Sequence, residues 1–228
     1  MTRLLQQVAI ASCRLRLARP LRKGEAPALR GFFGRQFEDE VLVHNHGPND
    51  QLIYQYPRIQ FKVIDRTAVL IGIAEGAELL SRLWLSIDTT RLGNEELTVM
   101  DSQFETTEQT IEVTDQPIRY RFETPWLALN QANFREYTQS RSTSFRREKL
   151  NKTLVGNCLG MCKSLGVFFP PEQRISADCA AITSIKTTLK GKGMIGFVGK
   201  FELNLRLPDY IGLGKSVSRG FGTIEQTD

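Results

Sequence analysis

Residues 212–222 read Gly-Leu-Gly-Lys-Ser-Val-Ser-Arg-Gly-Phe-Gly, and this segment says more about the chain than any other. Two Gly-apolar-Gly steps enclose five residues that include one lysine and one arginine. Glycine adopts backbone conformations that other residues avoid, and it lets a phosphate approach backbone N–H groups closely. The pattern therefore predicts a cradle for a polyphosphate backbone. Its candidate binding residues are Gly212, Gly214, Lys215, Ser216, Ser218, Arg219, Gly220 and Gly222.

Two other phosphate-binding motifs do not fit the sequence. A P-loop requires a glycine five residues before Gly214, where the chain has Asp209. Residues 191–196 have the spacing of a dinucleotide fingerprint, but residues 197–203 alternate like a strand and do not open a helix. A glycine-rich turn before a carboxyl-terminal strand is the alternative that the pattern at 212–222 leaves open.

Length and charge place broad limits on the protein. The chain has 228 residues, a hydrophobic share of 41% and a net charge of +5. This length suits one large domain or two domains of roughly 100 residues, and the positive charge is compatible with a polyanionic partner. No apolar run reaches the roughly 20 residues of a membrane span, and the start lacks a secretory signal pattern. We therefore expect a cytoplasmic protein that makes no membrane contact.

The cysteines indicate neither a zinc site nor disulfides. The chain has four, Cys13, Cys158, Cys162 and Cys179, and no Cys-x-x-Cys pair. Cys158 and Cys162 share one face of a predicted helix with Leu150 and Leu154, so we expect buried thiols. The sequence predicts no bound metal and no cofactor.

The order of predicted elements suggests an α+β chain with two similar halves. In the first half we predict strands at 13–17, 41–46, 52–56, 59–64, 69–73, 97–104 and 110–113 and helices at 26–37 and 75–85. A turn-like sequence at 114–117 precedes a strand at 118–122, a helical region at 130–165 broken near Thr143, and strands at 182–189 and 194–205. The natural architecture is two tandem ferredoxin-like (βαββαβ, RRM-like) domains, residues 1–115 and 116–228.

A histidine pair supplies candidate catalytic groups. His44 and His46 are the only histidines in the chain. On a strand they would share one face, roughly 6.6–7 Å apart, and a hairpin centred on Asn49 would bring Tyr54 beside His44. Because imidazole titrates near pH 6.5, one ring could accept a proton while the other donates one, as RNA cleavage by a neighbouring 2′-hydroxyl requires. Two solvated histidines near a turn are the plainer interpretation.

Charged residues elsewhere permit further roles. A basic run within the predicted helical region 130–165 could face phosphates or merely solvent, and consists of Arg141, Arg146, Arg147, Lys149 and Lys152. The acidic cluster at 38–40 suits a solvated turn. A two-metal nuclease would need carboxylates at several strand ends, and the sequence leaves that option open.

Several stretches together resemble one known family. The motif at 207–222 is similar to the carboxyl-terminal glycine-rich motif of the CRISPR-associated endoribonucleases that process precursor CRISPR RNA, the sixth Cas family. Further similar stretches point to its b-type branch and cover most of the chain: residues 29–34, 44–46, 54–57, 71–76, 126–130 and 196–201.

The resemblance implies a fold, a reaction and site residues. It implies two tandem ferredoxin-like domains that bind CRISPR repeat RNA and cut it without a metal, leaving a 2′,3′-cyclic phosphate or 3′-phosphate and a 5′-hydroxyl. By the same resemblance His44 and His46 are catalytic with Tyr54 nearby, and the glycine-rich segment binds RNA. A basic residue upstream is also implied; the chain has Arg35-Gln36 there, so Arg35 is a stand-in for a lysine.

Two other functions compete with cleavage. One is a non-catalytic RNA-binding subunit of a CRISPR effector complex, and the other is a generic single-strand-binding module. Other effector subunits and a second copy of the chain are candidate partners beside repeat RNA.

Overall fold

The computed structural model describes residues 6–44 and 55–228, with only the backbone of His44. The described chain divides into two compact units. The N-terminal unit holds Gln7–Gln109 together with Val217–Gly220, and the C-terminal unit holds Thr110–Ser216 and Phe221–Asp228. The predicted domain boundary between residues 115 and 116 falls inside one long strand, Glu95–Trp126, and stays a prediction.

The N-terminal unit has the element order of a ferredoxin-like domain. Its elements are β1 (Gln6–Leu17), α1 (Ala26–Gln36), α2 (Val41–His44), β2 (Ile59–Ile64), β3 (Thr67–Ile73), α3 (Glu75–Leu83), β4 (Thr89–Leu92) and the first part of β5 (Glu95–Trp126). The strand order is β2-β3-β1-β5, and β3 runs antiparallel to both β1 and β2. This is the split βαβ arrangement that the sequence predicted.

Strands β2 and β3 are buried in the core of this unit. All six residues of β2 and six of the seven in β3 are buried. Asp65 and Arg66, both with positive φ, form the tight turn that joins these strands. On α1, Phe33 is 1% exposed and its ring stacks on Phe61 of β2 at 5.5 Å between centroids. Helix α1 is thereby fixed against β2.

The predicted strand at 41–46 is wrong where the structure describes it, because Val41–His44 forms the single helical turn α2. A strand would bury Val41 and Val43 on one face. In the structure Val43 is 3% exposed and Val41 is 45% exposed. The Val43 N–H donates to Glu40 O at 2.9 Å, so the chain continues the turn that follows α1. In the predicted strand at 52–56, residues 52–54 lie outside the described residues, and residues 55 and 56 are not extended into a strand.

The C-terminal unit repeats the arrangement with one change. Its elements are the second part of β5, α4 (Gln131–Gln139), α5 (Thr143–Ser164), β6 (Ala177–Asp178), β7 (Ile182–Leu189), β8 (Lys192–Arg206) and β9 (Ile224–Gln226). Strand β5 pairs with β9 and β8, and β8 also pairs with β6 and β7. Between β8 and β9, where the ferredoxin-like pattern has its second helix, the chain forms no α-helix. The α+β prediction with two tandem ferredoxin-like domains is confirmed.

Local signals account for the two helices. Asn130 caps α4, since its side-chain oxygen accepts the N–H of Asn133 at 2.8 Å, and Ser142 caps α5 in the same way. The predicted break near Thr143 is therefore confirmed. The apolar face predicted from four-residue spacing is buried: Leu150, Leu154, Cys158 and Cys162.

The four cysteines are buried, as predicted, and all four are free thiols in the structure. Burial raises the pKa of each thiol, which suppresses the reactive thiolate. Within residues 6–44 and 55–228, no helix combines the length and apolar composition needed to cross a membrane.

Candidate nucleic-acid interface

The glycine-rich segment is a tightly bonded loop between β8 and β9. Within the C-terminal unit, the Leu213 N–H donates to Gly222 O at 2.9 Å, and Gly212 forms an antiparallel bridge with Thr223. The Gly222 N–H in turn donates to Pro125 O at 3.0 Å. These bonds fix both ends of the segment on the end of β5.

Gly214 is required by a close approach to Trp126. Its φ is +88°, and a Cβ at this position would lie 2.6 Å from the indole nitrogen. Trp126 is fully buried, and its Nε1 donates to Asn157 Oδ1 at 3.0 Å, so the ring has little freedom to retreat. The predicted role of Gly214 in shaping the loop therefore has a direct structural basis. Its contact with RNA stays a prediction.

Lys215 lies at an open groove in the C-terminal unit. The Lys215 Nζ donates to Leu129 O at 3.1 Å. The groove has a volume of about 560 Å³, and its lining includes Lys186, Phe134 and Met194. Phe134 is 38% exposed although it is aromatic. Two cations beside an exposed aromatic ring are typical of surfaces that bind single-stranded nucleic acid through backbone charge and base stacking.

The middle of the glycine-rich segment packs within the N-terminal unit. Residues Val217–Arg219 form a 3-10 turn. A Cβ at Gly220 would lie 2.6 Å from the Ala26 Cβ, so glycine allows this turn to approach the start of α1. Ser218 is only 8% exposed, which leaves its hydroxyl little surface for the RNA contact predicted from sequence. Ser216 has a positive φ of 59° and so contributes to the loop mainly through its backbone shape.

Arg219 lies near a second arginine, Arg30 of α1. The pKa of Arg30 is lowered by burial of its guanidinium and by the positive charge of Arg219. Beneath the turn, Lys62 of β2 is fully buried and its Nζ donates to Val217 O at 3.2 Å. The N-terminal unit therefore gathers two guanidinium groups and one buried amine at this turn. Such a grouping favours an anionic ligand, because like charges repel unless an anion screens them.

The basic run on α5 is occupied by neighbouring groups. Arg147 forms a bidentate ion pair with Asp178, and Lys149 pairs with Glu136. The Arg146 Nε donates to Tyr137 O at 3.0 Å, and its guanidinium lies over the Tyr137 ring. RNA binding by Arg146, Arg147 and Lys149 stays a prediction, and for Arg147 it requires release from Asp178.

The predicted catalytic residues fall mostly outside the described part of the chain. His46 and Tyr54 lie outside it, and His44 ends α2 with only its backbone described. Because residues 41–44 are helical, the extended geometry used to align the two histidines does not hold at His44. Their juxtaposition stays a prediction. Arg35 lies on the last turn of α1 and is exposed.

Sequence reasoning missed Lys62 and Arg30 at the turn and Lys186 and Phe134 at the groove. Alternation in β2 places Lys62 on the face opposite Phe61 and Val63, which suggests solvent; in the structure both faces of β2 are covered. Lys186 and Phe134 are far from Lys215 in sequence, and only the fold brings them to one groove. No local pattern could have identified these residues.

A metal centre is not built into the described part of the chain. Across residues 6–44 and 55–228, no three or more His, Cys, Asp or Glu side chains are grouped closely enough to hold a metal ion.

Comparisons with known proteins agree over nearly the whole length. The Cas6b N-terminal domain model matches residues 6–110, and the Cas6b C-terminal domain model matches residues 112–227. A crystal structure of Cas6b is 31% identical, covers 97% of this chain and 100% of that chain, and has a TM-score of 0.90. A crystal structure of the CRISPR RNA processing endoribonuclease Cas6b is 30% identical with the same coverage and a TM-score of 0.76.

Two further matches cover less of the chain or are less identical in sequence. An uncharacterized protein of Methanocaldococcus jannaschii is 38% identical over 112 residues, which are 49% of this chain and 74% of that protein. The type IV Cas6 crRNA endonuclease Csf5 is 13% identical over 98% of this chain and 100% of that chain, with a TM-score of 0.55, and shares the fold. The two family models and the two Cas6b structures confirm the resemblance predicted from sequence.

Proposed function

This chain belongs to the Cas6b family, and on that premise we propose that it is an endoribonuclease that cuts CRISPR repeat RNA within precursor transcripts. The observation that carries the proposal is the match of both Cas6b domain models, in chain order, to residues 6–110 and 112–227. A structural relative that is 30% identical over 97% of the chain is a CRISPR RNA processing endoribonuclease.

The arrangement of charge supports RNA as the substrate. Lys215 and Lys186 line a groove with the exposed Phe134, and Arg219 lies near Arg30 at the glycine-rich turn. Cations can follow a phosphate backbone while an aromatic ring stacks on a base. We infer that these two surfaces, one within each unit, bind the RNA.

The cleavage step needs one base and one acid. One imidazole of the pair His44 and His46 removes the proton from the ribose 2′-hydroxyl, and the 2′-oxygen forms a bond to phosphorus. The bond from phosphorus to the 5′-oxygen breaks, and the second imidazole gives that oxygen a proton. The products carry a 2′,3′-cyclic phosphate and a 5′-hydroxyl, and addition of water to the cyclic ester gives a 3′-phosphate.

Tyr54 and Arg35 complete the proposed site. The Tyr54 hydroxyl orients an imidazole or holds a phosphate oxygen. Arg35 supplies positive charge in place of the lysine that the family motif has upstream of the histidines. The mechanism assigns no step to a metal ion.

End-group analysis tests this proposal. Repeat RNA from a neighbouring repeat array is incubated with the protein in excess EDTA, and the ends of the fragments are identified. We expect cleavage at one position in the repeat, with cyclic phosphate or 3′-phosphate and 5′-hydroxyl ends. Loss of cleavage on chelation, or 5′-phosphate ends, would contradict the mechanism. Specific binding without cleavage would identify a non-catalytic RNA-binding subunit, and equal binding of scrambled RNA a generic single-strand-binding module.

Candidate protein partners are a second copy of this chain and other subunits of a CRISPR effector complex. Light scattering with and without repeat RNA would detect self-association, and co-purification would detect the other subunits.

A further inference from the structure

Lys62 carries a buried amine with a single described contact. It lies in the middle of β2, where all six residues are buried, and its side chain is fully inaccessible. Its Nζ donates to Val217 O at 3.2 Å, and no carboxylate of the described residues forms an ion pair with it. Burying a lysine without a counter-ion is costly, and an apolar residue of similar volume would avoid that cost. The lysine therefore serves something other than core packing.

The Val217 carbonyl is the point at which the turn is fixed. It accepts one bond from the Gly220 N–H at 3.1 Å, which closes the 3-10 turn, and the second bond from Lys62. The carbonyl of Phe61, next to Lys62 on β2, would lie 3.2 Å from a Cβ at Gly220. The turn is thus held against β2 on one side and against the start of α1 on the other.

The residue carried by this turn is Arg219. It is half-buried, and it lies close enough to Arg30 for its charge to lower the pKa of that guanidinium. An arginine near another cation gains binding energy from a phosphate placed between the two positive groups. The gain is largest when the backbone of the arginine is already fixed, because no ordering cost then arises on binding. The bond between Lys62 and Val217 supplies that restraint.

We propose that Lys62 is a positioning residue: by bonding the Val217 carbonyl it holds the Val217–Gly220 turn so that Arg219 meets an RNA phosphate. This inference rests on the proposed function for its ligand. Lys62 itself is buried and touches no RNA. It acts through Val217, and its effect on binding should appear only through Arg219.

A double-mutant cycle on repeat RNA tests this dependence. The variants are Lys62→Met, which keeps the side-chain length and removes the donor, Arg219→Ala and the double variant. We expect each single change to weaken binding about tenfold and to reduce the salt slope by about 0.7. The double variant should be no weaker than Arg219→Ala alone, because both changes remove the same contact. If the loss of affinity in the double variant equals the product of the two single losses, the proposal is overturned.

Two controls separate local from general effects. Arg82→Met removes one exposed positive charge from the same unit, and we expect a change in affinity of less than about twofold. Thermal unfolding of each variant shows whether it is folded at the temperature of the assay. A Lys62→Met variant that is folded and binds with wild-type affinity and salt slope would assign Lys62 to stability alone and overturn the proposal.

Hydrogen exchange tests the turn without RNA. The Gly220 amide donates to the same carbonyl as Lys62, so loss of Lys62 should speed its exchange by about tenfold, with amides of β3 unchanged. An unchanged exchange rate of the Gly220 amide in Lys62→Met would overturn the positioning role of Lys62, even if the variant binds RNA. If the wild-type protein fails to bind repeat RNA, the proposed function and the ligand assigned to Arg219 are overturned. The exchange rate of the Gly220 amide would still decide whether Lys62 holds the turn.

Discussion

Gly214 lies against Trp126 so closely that a Cβ on the glycine would come within 2.6 Å of the indole Nε1 and 2.8 Å of Cδ1. The ring is also packed against Phe122, which stacks on it at 5.1 Å between centroids. The Lys215 N–H also donates to Leu127 O at 3.3 Å. The segment that carries Lys215 is therefore fixed to the end of β5 by contacts that depend on the absence of a side chain at residue 214.

We predict that Gly214→Ala lowers the free energy of unfolding of the C-terminal unit by about 2–4 kcal/mol, because it combines a strained positive φ with a steric clash. Urea unfolding followed by tryptophan fluorescence measures the loss. Gly156→Ala is the matched control: Gly156 lies in α5 with nothing near the position of a Cβ, so this change should stabilise by up to about 1 kcal/mol. Equal effects of the two changes would contradict the account of the loop.

Lys62 gives a pH dependence whose sign follows from its burial. Desolvation lowers the pKa of its amine from 10.5 to about 7 in the folded protein. Between these values the unfolded chain holds a proton that the folded chain has released, so stability rises with pH through this window. The rise is bounded by roughly 3–5 kcal/mol.

The measurement is the difference in free energy of unfolding between wild type and Lys62→Met from about pH 6.5 to pH 10. Other titrating groups cancel in this difference, which isolates the amine. We expect wild type to gain stability relative to the variant as pH rises. A difference that is constant across the window would show that the buried amine has an ordinary pKa.

Lys215 should contribute one phosphate contact through the groove of the C-terminal unit. We predict that Lys215→Gln weakens binding of repeat RNA about tenfold at low salt and reduces the salt slope by about 0.7. Lys163→Gln removes the same charge from an exposed position on α5 and serves as the control. Identical slopes for the two variants would indicate that Lys215 acts only in the architecture of the loop.

Arg147 can bind phosphate only if it leaves Asp178. The pair lowers the pKa of the Asp178 carboxyl, mainly through its hydrogen bond with the guanidinium. We predict that Asp178→Asn, which frees Arg147, strengthens RNA binding roughly threefold to tenfold. Glu172→Gln changes the net charge equally at an exposed position of the same unit and should have a smaller effect. Equal effects would place the basic run of α5 outside the RNA-binding surface.

The sequence was most informative where a local pattern has one structural solution. Four-residue spacing on α5 predicted the buried face of Leu150, Leu154, Cys158 and Cys162. The glycine-rich segment was predicted as a loop. The assignment of its residues to two different units was not predicted, because no pattern in the sequence indicates which core a residue packs into.

Two features, one of the fold and one of the candidate site, escaped prediction for physical reasons. The alternation around Val41 and Val43 predicted a strand, but the chain forms one helical turn in which only Val43 is buried. Lys62 resembles a solvent-facing strand residue until α1 and the Val217–Gly220 turn are placed over β2. The burial of Lys62 depends on packing between segments that are distant in sequence, whereas the turn at Val43 is fixed by a local bond to Glu40.

The central claim is that two imidazoles carry out cleavage. Because His44 and His46 are the only histidines in the chain, the most direct measurement is the single-turnover cleavage rate of repeat RNA by His44→Ala/His46→Ala in excess EDTA, with the RNA affinity of the same preparation. The account predicts wild-type affinity and a rate lower by on the order of 10²-fold or more. Cleavage by the double variant at the wild-type rate would contradict it.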